Sequence, residues 1–321
     1  MSERRVLIVG SNGLLGQKMA ELFIRGTQNK VTLSSVEPGS VFSIPDVDYV
    51  QTDLTVKKAV KQLVATCEPH VVINCAAMTN VDACENEREL AWKINVGAIE
   101  NIIEACHTSN TRIVHVSSDY VFNGMSGPYS EEDRPDPLSY YGKTKLASEN
   151  ALRASGLAYI IARTMVLYGL APGVKMNFAL WLIQSLENGT QVKIVDDQIG
   201  NATLVDDLAY GLMRAVELEK TGIYNIAGRE ILTRFEFAIK IAEVFGLDPS
   251  LIVPIKTADL HQPAPRPLNS GLITLKAETD LGLKLSNVAE GLTILKSQIK
   301  RTQKRIEDNS AVSGTRGIRR R

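Results

Sequence analysis

Three side chains in the middle of the 321-residue sequence could carry out acid–base chemistry together. Tyr141 and Lys145 are spaced i, i+4, which places both on one face of a helix. There the lysine ammonium would stabilise a tyrosinate and lower the phenol pKa from about 10 toward neutrality. Ser118, at the end of an apolar run, could hold a carbonyl oxygen on which negative charge develops. This combination predicts reduction of a carbonyl group, with Tyr141 as the proton donor.

A glycine-rich turn near the N-terminus would hold the second reactant. Gly10, Gly13 and Gly16 lie in GSNGLLG, directly after the first predicted strand and at the start of a predicted helix. Glycines allow a tight turn and close approach to a pyrophosphate, which the free N–H groups of the helix N-terminus attract. The turn therefore predicts a nicotinamide dinucleotide, NAD(H) or NADP(H). The other predicted cofactor contacts in this turn are Asn12, Leu14 and Leu15.

The residues after the second and third predicted strands concern the ribose and adenine of that cofactor. An acidic ribose ligand is expected about 20 residues after the turn, but Ser35 occupies this position and Glu37 follows it. Ser35 would leave room for a 2′-phosphate, and no arginine stands close by to bind one. Both NAD and NADP therefore remain open. Asp53, followed by Leu54, either flanks the adenine or caps the next helix.

Apolar runs alternate with amphipathic segments through the first half of the chain. The predicted strands are Arg5–Val9, Val31–Leu33, Tyr49–Gln51, His70–Ala76, Arg112–Ser117 and Leu157–Arg163. The predicted helices are Gly13–Arg25, Lys57–Ala65, Glu87–His107 and Ser139–Ala154. Because such alternation requires crossovers, the sheet should be parallel and covered on both faces. The predicted fold class is α/β, with a Rossmann-type doubly wound parallel sheet.

The second half of the chain predicts a smaller α/β substrate lobe. We assign residues 1–165 to a nucleotide-binding domain, to which residues 204–227 return. Residues 166–203 and 228–300 form the predicted lobe. Trp181 in it is either a core residue, which is the more typical case, or a stacking surface for a nucleobase. Residues 308–321 are polar and basic, which predicts a disordered tail.

Composition argues against several classes of protein. Thirty-six basic residues balance 36 acidic ones, so there is no overall positive field for nucleic acid or an anionic membrane. No apolar run reaches the roughly 18 residues of a membrane helix, and the N-terminus lacks a signal-peptide pattern. The four cysteines show no CxxC spacing, which favours reduced thiols over a metal site or disulfides. We expect a cytoplasmic protein without nucleic-acid or membrane partners and without a bound metal.

Several segments resemble the dTDP-4-dehydrorhamnose reductase family of the extended short-chain dehydrogenase/reductase superfamily. The GxxGxxG spacing is similar to that of the superfamily. Residues 74–82 resemble NAAAxTxVD, residues 117–124 resemble STDYVFDG, and residues 137–147 resemble PxxxYGxTKLAGE. Residues 197–200 and 266–270 resemble later family segments, so the resemblance covers roughly residues 4–295. It implies reduction of the 4-keto group of the nucleotide sugar dTDP-4-dehydro-L-rhamnose to dTDP-L-rhamnose.

By this resemblance, catalysis falls to Ser118, Tyr141 and Lys145, and the last two also contact the cofactor. Asn95 is either a residue beside the active site and cofactor or a buried polar residue bonded to backbone. The family also includes homodimers bridged by Mg²⁺ through C-terminal acids. A homodimer is therefore one expectation, but residues 285–300 contain only Glu290 as an acid, which predicts no such metal site. The remaining implied residues are Cys75, Ala76 and Ala77 along the cofactor, Thr79, Asp119 and Tyr120 near the sugar, and Asn177 at the nucleotide end.

Two positions depart from the family pattern. Val166 stands where the family has a tryptophan on the nucleobase, and Arg234 stands where another tryptophan is expected. An aromatic stacking surface is worth about 1 kcal/mol beyond its area burial. We therefore expect weaker selection of the thymine base.

Other functions share these motifs. A sugar-nucleotide 4,6-dehydratase needs an Asp–Glu pair after the serine, and here Tyr120 follows Asp119. An epimerase, or another sugar-nucleotide reductase, is not separated by any such residue. The regulatory β subunit of methionine adenosyltransferase also resembles the chain and keeps the same serine, tyrosine and lysine. A non-catalytic nucleotide-binding role therefore stays open.

Overall fold

The computed structural model describes residues 4–26, 29–41, 47–109 and 111–316. The strands are β1 (Arg5–Val9), β2 (Lys30–Ser35), β3 (Asp48–Gln51), β4 (Val71–Asn74), β5 (Arg112–Ser118), β6 (Tyr159–Thr164), β7 (Leu167–Tyr168), β8 (Val192–Val195), β9 (Ile199–Asn201), β10 (Thr203–Leu204), β11 (Gly222–Asn225), β12 (Ile231–Thr233) and β13 (Ile252–Ile255). The helices are α1 (Leu14–Gly26), α2 (Lys57–Cys67), α3 (Val81–Asn86), α4 (Arg88–Trp92), α5 (Ala98–Cys106), α6 (Tyr140–Ala154), α7 (Phe178–Glu187), α8 (Val205–Glu217), α9 (Arg234–Phe245), α10 (Leu275–Leu281) and α11 (Val288–Arg316).

Seven strands form one parallel sheet in the order β11-β6-β5-β4-β1-β2-β3. The inner strands are apolar and buried along their length, as in VVIN of β4, because both faces of the sheet are covered. The chain builds outward from β1 to β3 and then crosses to β4 on the other side of β1. The predicted Rossmann-type parallel sheet is confirmed. Its strand order changes direction between β1 and β4, where such sheets bind ligands at their carboxyl ends.

Helices cover both faces of this sheet through apolar stripes. On one face, α1 and α8 bury residues such as Met19, Phe23 and Leu208. On the other face, α2 and α5 bury residues such as Val60 and Ile99. Each large side chain removed from water contributes about 1.5–3 kcal/mol. The segment 204–227, which we assigned to the nucleotide-binding domain, supplies α8 and the edge strand β11.

A second core lies in the later part of the chain. Helices α7, α9 and α11 pack there around residues such as Leu182, Phe237 and Leu292. Three strand pairs, β7 with β10, β8 with β13 and β9 with β12, extend this lobe. Thr233 caps α9 in a reciprocal capping box with Glu236, which fixes the start of that helix.

Two predicted boundaries are wrong. We placed all of residues 228–300 in the lobe, but Ala277, Leu281 and Leu283 pack in the core of α1 and α8. The spacing of these residues in the sequence indicates an apolar helix face, but it does not indicate which of the two hydrophobic cores that face packs against. The expected tail from residue 308 continues α11 to Arg316, because adding residues to an existing helix avoids the cost of nucleating a new one. Residues 317–321 of that prediction lie outside the described residues.

Two further predictions differ in detail. The helix predicted over Glu87–His107 is divided into α4 and α5 by a π-helical turn, Lys93–Gly97. A turn of this kind inserts one residue into the helical repeat, which apolar spacing alone does not reveal. Trp181 is 40% exposed and is not a core residue, because it lies on the outer side of α7.

A buried ion pair joins α6 to the sheet. Arg163 of β6 and Glu149 of α6 approach to 2.8 Å, and their side chains are 1% and 0% exposed. Ser117 of β5 donates a hydrogen bond of 2.5 Å to the same carboxylate. Removing either charge would leave the other buried without a partner, at a cost of about 3–5 kcal/mol. The pair therefore fixes α6 against the carboxyl ends of β5 and β6.

Candidate active site

Three adjoining cavities form a cleft along the carboxyl ends of the strands. The glycine cavity, about 350 Å³, is lined by residues that include Gly10, Ser35, Glu37, Asp53 and Leu54. The central cavity, about 460 Å³, is lined by residues that include Leu14, Leu15, Thr79, Ser118, Tyr141 and Lys145. The lobe cavity, about 80 Å³, is lined by residues that include Gln198, Thr233, Arg234 and Ser270.

Shared walls make the three cavities continuous. Gly13 and the backbone run Cys75–Ala77 line both the glycine cavity and the central cavity. Asp119, Tyr120 and Val166 line both the central cavity and the lobe cavity. An elongated ligand could therefore extend from the glycine turn, past Tyr141, into the second lobe.

The three glycines of the turn have different roles in this cleft. A Cβ at Gly10, where φ is +72°, would lie 2.6 Å from the backbone N of Ala76. A Cβ at Gly16 would lie 2.2 Å from the Gly10 carbonyl oxygen. These two glycines are required by the fold, and Gly16 itself does not line a cavity. Gly13 has only one close neighbour, Gly10 O at 3.3 Å, so a side chain at this position would extend into the glycine cavity.

Glu37 extends into the glycine cavity from the end of β2. The Ser35 hydroxyl donates to its carboxylate at 2.5 Å, and the Asn12 amide donates to it at 3.3 Å. These hydrogen bonds hold the Glu37 pKa below its usual value, so the group is an anion at neutral pH. Asn12 therefore positions the acid and is not itself a wall of the cavity.

Asp53 does not cap the next helix, and its contact with the adenine stays a prediction. It lines the glycine cavity, and its carboxylate accepts hydrogen bonds from the Thr55 N–H and hydroxyl at 2.9 and 2.7 Å. This turn precedes α2, whose N-cap is Val56. Leu54 lines the same cavity beside it.

The catalytic candidates converge on the central cavity from β5 and α6. Ser118 is the last residue of β5, and Tyr141 and Lys145 face the same cavity from the first turns of α6. Ser139 starts this helix by accepting a hydrogen bond from the Gly142 N–H at 3.1 Å. The predicted i, i+4 arrangement thus places the phenol and the ammonium on one wall.

The sequence predicted that Lys145 lowers the Tyr141 pKa, and this prediction is wrong. Burial raises the pKa of Tyr141 above its ordinary value, and the hydrogen bond with Ser118 lowers it only in part. Burial also lowers the pKa of Lys145 to about 8. The Lys145 ammonium donates to the Val116 carbonyl oxygen at 2.6 Å, so its hydrogen bond goes to the strand. Desolvation, which disfavours both charged forms, is the largest influence on each pKa.

A carboxylic acid lies beside the candidate triad. Asp119 is 3% exposed, and its oxygens accept hydrogen bonds from Ser118 at 2.9 Å and Ser270 at 2.6 Å. Burial raises the pKa of Asp119 to about 6, against the effect of these hydrogen bonds. Tyr120 packs edge-on against Tyr141, with ring centroids 5.5 Å apart. Thr79, Asp119 and Tyr120 all line the cleft, as the sequence predicts for a substrate site.

Besides Asn12 and Gly16, two more predicted site residues do not line the three cavities. Asn95 is buried and bonds to the Met78 backbone at 2.8 and 3.1 Å and to the Thr144 hydroxyl at 3.0 Å. The structure thus favours the second alternative for Asn95, a buried polar residue that supports α6. Asn177 caps α7 by accepting from the Leu180 N–H and donates to the Gly169 carbonyl oxygen at 2.7 Å. Its amide bonds to the backbone, and its place near the nucleotide stays a prediction.

Sequence reasoning missed the support beneath the site. The Arg163–Glu149 pair, Ser117 and His115 form buried polar contacts directly behind Ser118 and Lys145. Burial holds the His115 pKa well below its usual value, so this imidazole is neutral. The available signal was the single arginine that ends the apolar run LAYIIAR, because a charge there must be paired.

Val166 has an unusual backbone. Its φ is +45°, a conformation that β-branched residues rarely adopt, and it lies where the central and lobe cavities meet. Strained backbone of this kind clusters at ligand sites.

The described residues contain no helix long and apolar enough to cross a membrane. They also contain no group of three or more His, Cys, Asp or Glu side chains able to hold a metal ion.

We expect Lys145→Met to raise the free energy of unfolding by about 1–3 kcal/mol at pH 7, since it removes a buried ammonium of depressed pKa. Below pH 8 the lysine is charged in both states, and the folded state bears the full desolvation cost. Between pH 8 and 10.5 the folded state loses the proton first, so the gain should shrink. Urea unfolding of both proteins at pH 6.5, 7.5 and 9.5 measures this difference. A gain that grows with pH would contradict the assignment.

Known proteins with similar sequences and structures are consistent with this site. The chain is 32% identical over 295 residues to the dTDP-4-dehydrorhamnose reductase of Aggregatibacter actinomycetemcomitans, covering 88% of this chain and 95% of that protein. It is also 32% identical over 282 residues to methionine adenosyltransferase 2 subunit beta of Rattus norvegicus, covering 86% of this chain and 82% of that protein.

A solved structure extends the comparison to the fold. The dTDP-4-dehydrorhamnose reductase of Bacillus anthracis, in complex with NADP, superimposes with a TM-score of 0.80 at 28% identity, over 92% of this chain and 100% of that chain. The family model described as "RmlD substrate binding domain" matches residues 4–300. This chain therefore belongs to the RmlD substrate-binding-domain family.

Proposed function

We propose that the protein is an NAD(P)H-dependent oxidoreductase that reduces the 4-keto group of dTDP-4-dehydro-L-rhamnose to give dTDP-L-rhamnose. The observation that carries this proposal is the convergence of Ser118, Tyr141 and Lys145 on a cavity that continues into the glycine turn. The reductases among its relatives support the same reaction class. The substrate is a nucleotide sugar.

The residues of the glycine cavity fit a dinucleotide. Gly13 leaves space that a side chain would fill, and α1 directs its free N–H groups toward this space. The Ser34 hydroxyl lines the cavity, is buried and has no hydrogen-bond partner. The cofactor is therefore NADP(H) or NAD(H), held by the glycine turn, the ends of β2 and β3, and Cys75–Ala77. When bound, its reduced nicotinamide supplies the hydride for the carbonyl carbon.

The protein contributes the proton and the electrostatic environment. The high pKa of Tyr141 keeps the phenol protonated at neutral pH, which is the form that donates to a developing alkoxide. Ser118, whose hydroxyl now bonds to Asp119, turns this donor toward the substrate oxygen. The ammonium of Lys145 is the only cation that lines the central cavity among the described residues, and it stabilises the tyrosinate left after transfer.

The substrate residues follow from the walls of the cleft. Thr79, Asp119 and Tyr120 surround the position where the sugar must lie to place its carbonyl beside Tyr141. Asp119, with a pKa of about 6, accepts sugar hydroxyls in its ionised form. The nucleotide then extends toward the lobe cavity.

The relative that is a methionine adenosyltransferase subunit favours one alternative, a non-catalytic nucleotide-binding role. The discriminating experiment follows NADPH or NADH absorbance with and without dTDP-4-dehydro-L-rhamnose. Oxidation that requires the keto sugar supports the reductase. Tight cofactor binding without turnover on this or other keto sugars supports the alternative.

We expect Tyr141→Phe to lower kcat by about 10²–10⁴-fold with little change in cofactor affinity, because only the proton donor is lost. Tyr140→Phe is the matched control. Tyr140 is the first residue of the same helix, with the Arg88 guanidinium 5.2 Å from its ring centroid, and it does not line the central cavity. Steady-state kinetics with the keto sugar test both variants. Parent-like turnover by Tyr141→Phe would refute this mechanism.

We expect Gly13→Val to abolish cofactor binding and keep the fold, because its side chain would enter the cavity. Gly16→Val should instead destabilise the protein, since its Cβ would collide with Gly10 O at 2.2 Å. Fluorescence titration with NADPH and thermal unfolding separate the two effects. Unchanged NADPH affinity in a folded Gly13→Val protein would remove the dinucleotide assignment.

The Glu37 carboxylate favours NADH over NADPH, because an anion at the end of β2 accepts ribose hydroxyls and repels a 2′-phosphate. We expect Glu37→Gln to raise affinity for NADPH relative to NADH by about tenfold, equivalent to roughly 1.4 kcal/mol. Glu89→Gln, which changes an exposed acid outside the cleft, is the control. Dissociation constants for both cofactors provide the measurement. An unchanged ratio would show that Glu37 does not contact the ribose.

A further inference from the structure

Three arginines stand around the inner part of the cleft, and two of them are paired. Arg163 is bound by Glu149 beneath the site. Arg266 makes two hydrogen bonds to Asp82, at 3.0 and 2.8 Å. Among the described residues, Arg234 has neither an ion pair nor a hydrogen bond from its guanidinium. A cation that the protein leaves unpaired beside a cavity is available to a ligand.

Local structure holds the Arg234 side chain in the lobe cavity. Arg234 is the first residue of α9, and its backbone N–H donates to the Gln198 carbonyl oxygen at 2.9 Å. Its guanidinium lies over the Phe178 ring, 5.0 Å from the centroid. Such stacking orients the planar fork and leaves its N–H donors free for a partner. Thr233 and Glu236 fix the helix start through their capping box.

The surrounding charges do not already satisfy this cation. Two titratable groups face Arg234: Tyr120, whose phenol is neutral because burial raises its pKa to about 12, and Asp119. The two oxygens of Asp119 accept from Ser118 and Ser270. No contact of 4 Å or less joins it to Arg234 in the described structure. Burial makes the charged form of Arg234 less favourable than in water, so an arriving anion gains from the pairing.

We propose that Arg234 is a specificity-determining residue that binds an anionic group of the nucleotide sugar, either its diphosphate or a carboxylate on its sugar. The proposal rests on the function proposed above, because the lobe cavity adjoins the cavity in which the carbonyl is reduced. Arg234 and Val166 occupy the two positions where the family resemblance predicts tryptophan. The cleft thus exchanges stacking on the base for bidentate recognition of an oxyanion.

The test compares ligands with and without each anion, in the protein saturated with NAD⁺, by calorimetric titration. Thymidine and dTDP differ in the diphosphate, and UDP-glucose and UDP-glucuronate differ in the carboxylate. The variants are Arg234→Gln, Arg234→Lys and the control Arg229→Gln, which alters an exposed arginine on the loop before β12. NADPH affinity and thermal unfolding report on folding.

If the diphosphate is bound, Arg234→Gln should weaken dTDP by about 10–100-fold and leave thymidine within twofold. If the sugar carboxylate is bound, dTDP should be unaffected and UDP-glucuronate should lose its advantage over UDP-glucose. Arg234→Lys should fall between parent and Arg234→Gln, since lysine keeps the charge without the fork. Arg229→Gln should match the parent.

Affinities within twofold of the parent for all four ligands in Arg234→Gln would overturn the proposal. If that variant does not fold, unchanged affinities in Arg234→Lys would overturn it equally. A parent that binds dTDP but never oxidises NADPH or NADH with the keto sugar would overturn the proposed reaction and leave the anion site standing. A parent that binds none of the four ligands would overturn both.

Discussion

The buried pair of Arg163 and Glu149 is the interaction on which the rest of the site depends. It links the end of β6 to the middle of α6, and Ser117 of β5 donates to the same carboxylate. The next residue along β5 is Ser118, and one turn before Glu149 along α6 is Lys145. Sliding of the strand against the helix would break this pair. Each unpaired charge would then cost about 3–5 kcal/mol, which keeps the two elements in position. The same carboxylate raises the Lys145 pKa and so helps to keep the ammonium charged.

The order of the strands decides where this fixed unit meets its ligands. β1 and β4 are neighbours, and the chain leaves them in opposite directions across the sheet. The glycine turn follows β1, Cys75–Ala77 follows β4, and Ser118 ends β5, so all three reach the same edge. The second lobe then closes the far end of the cleft with α9. A single line of cavities follows from this topology.

Much of this arrangement can be predicted from the sequence, because local patterns specify it. The buried strands show as short apolar runs, and the Tyr141–Lys145 spacing places both side chains on one wall. Properties that depend on desolvation were not predictable: the phenol pKa is raised, although spacing alone suggested the opposite. The sequence pattern also could not show that the Asn95 amide bonds to the backbone and a hydroxyl, or that the Asn177 amide bonds to the backbone. A polar residue in or beside a helix looks the same in the sequence whichever group it contacts.

One physical theme connects the residues that sequence patterns could not describe. Burial disfavours the charged forms of Lys145, Asp119 and Arg234, all of which line the cleft. Selection for stability alone would pair or remove such charged groups. Arg163 and Arg266 are paired in this way, with Glu149 and Asp82. Ligands that bring hydroxyls and oxyanions to these positions restore the interactions that water no longer provides. These groups lose their hydration when the chain folds, so a ligand does not have to displace that water to bind them. The cleft is therefore organised for its substrate before the substrate arrives.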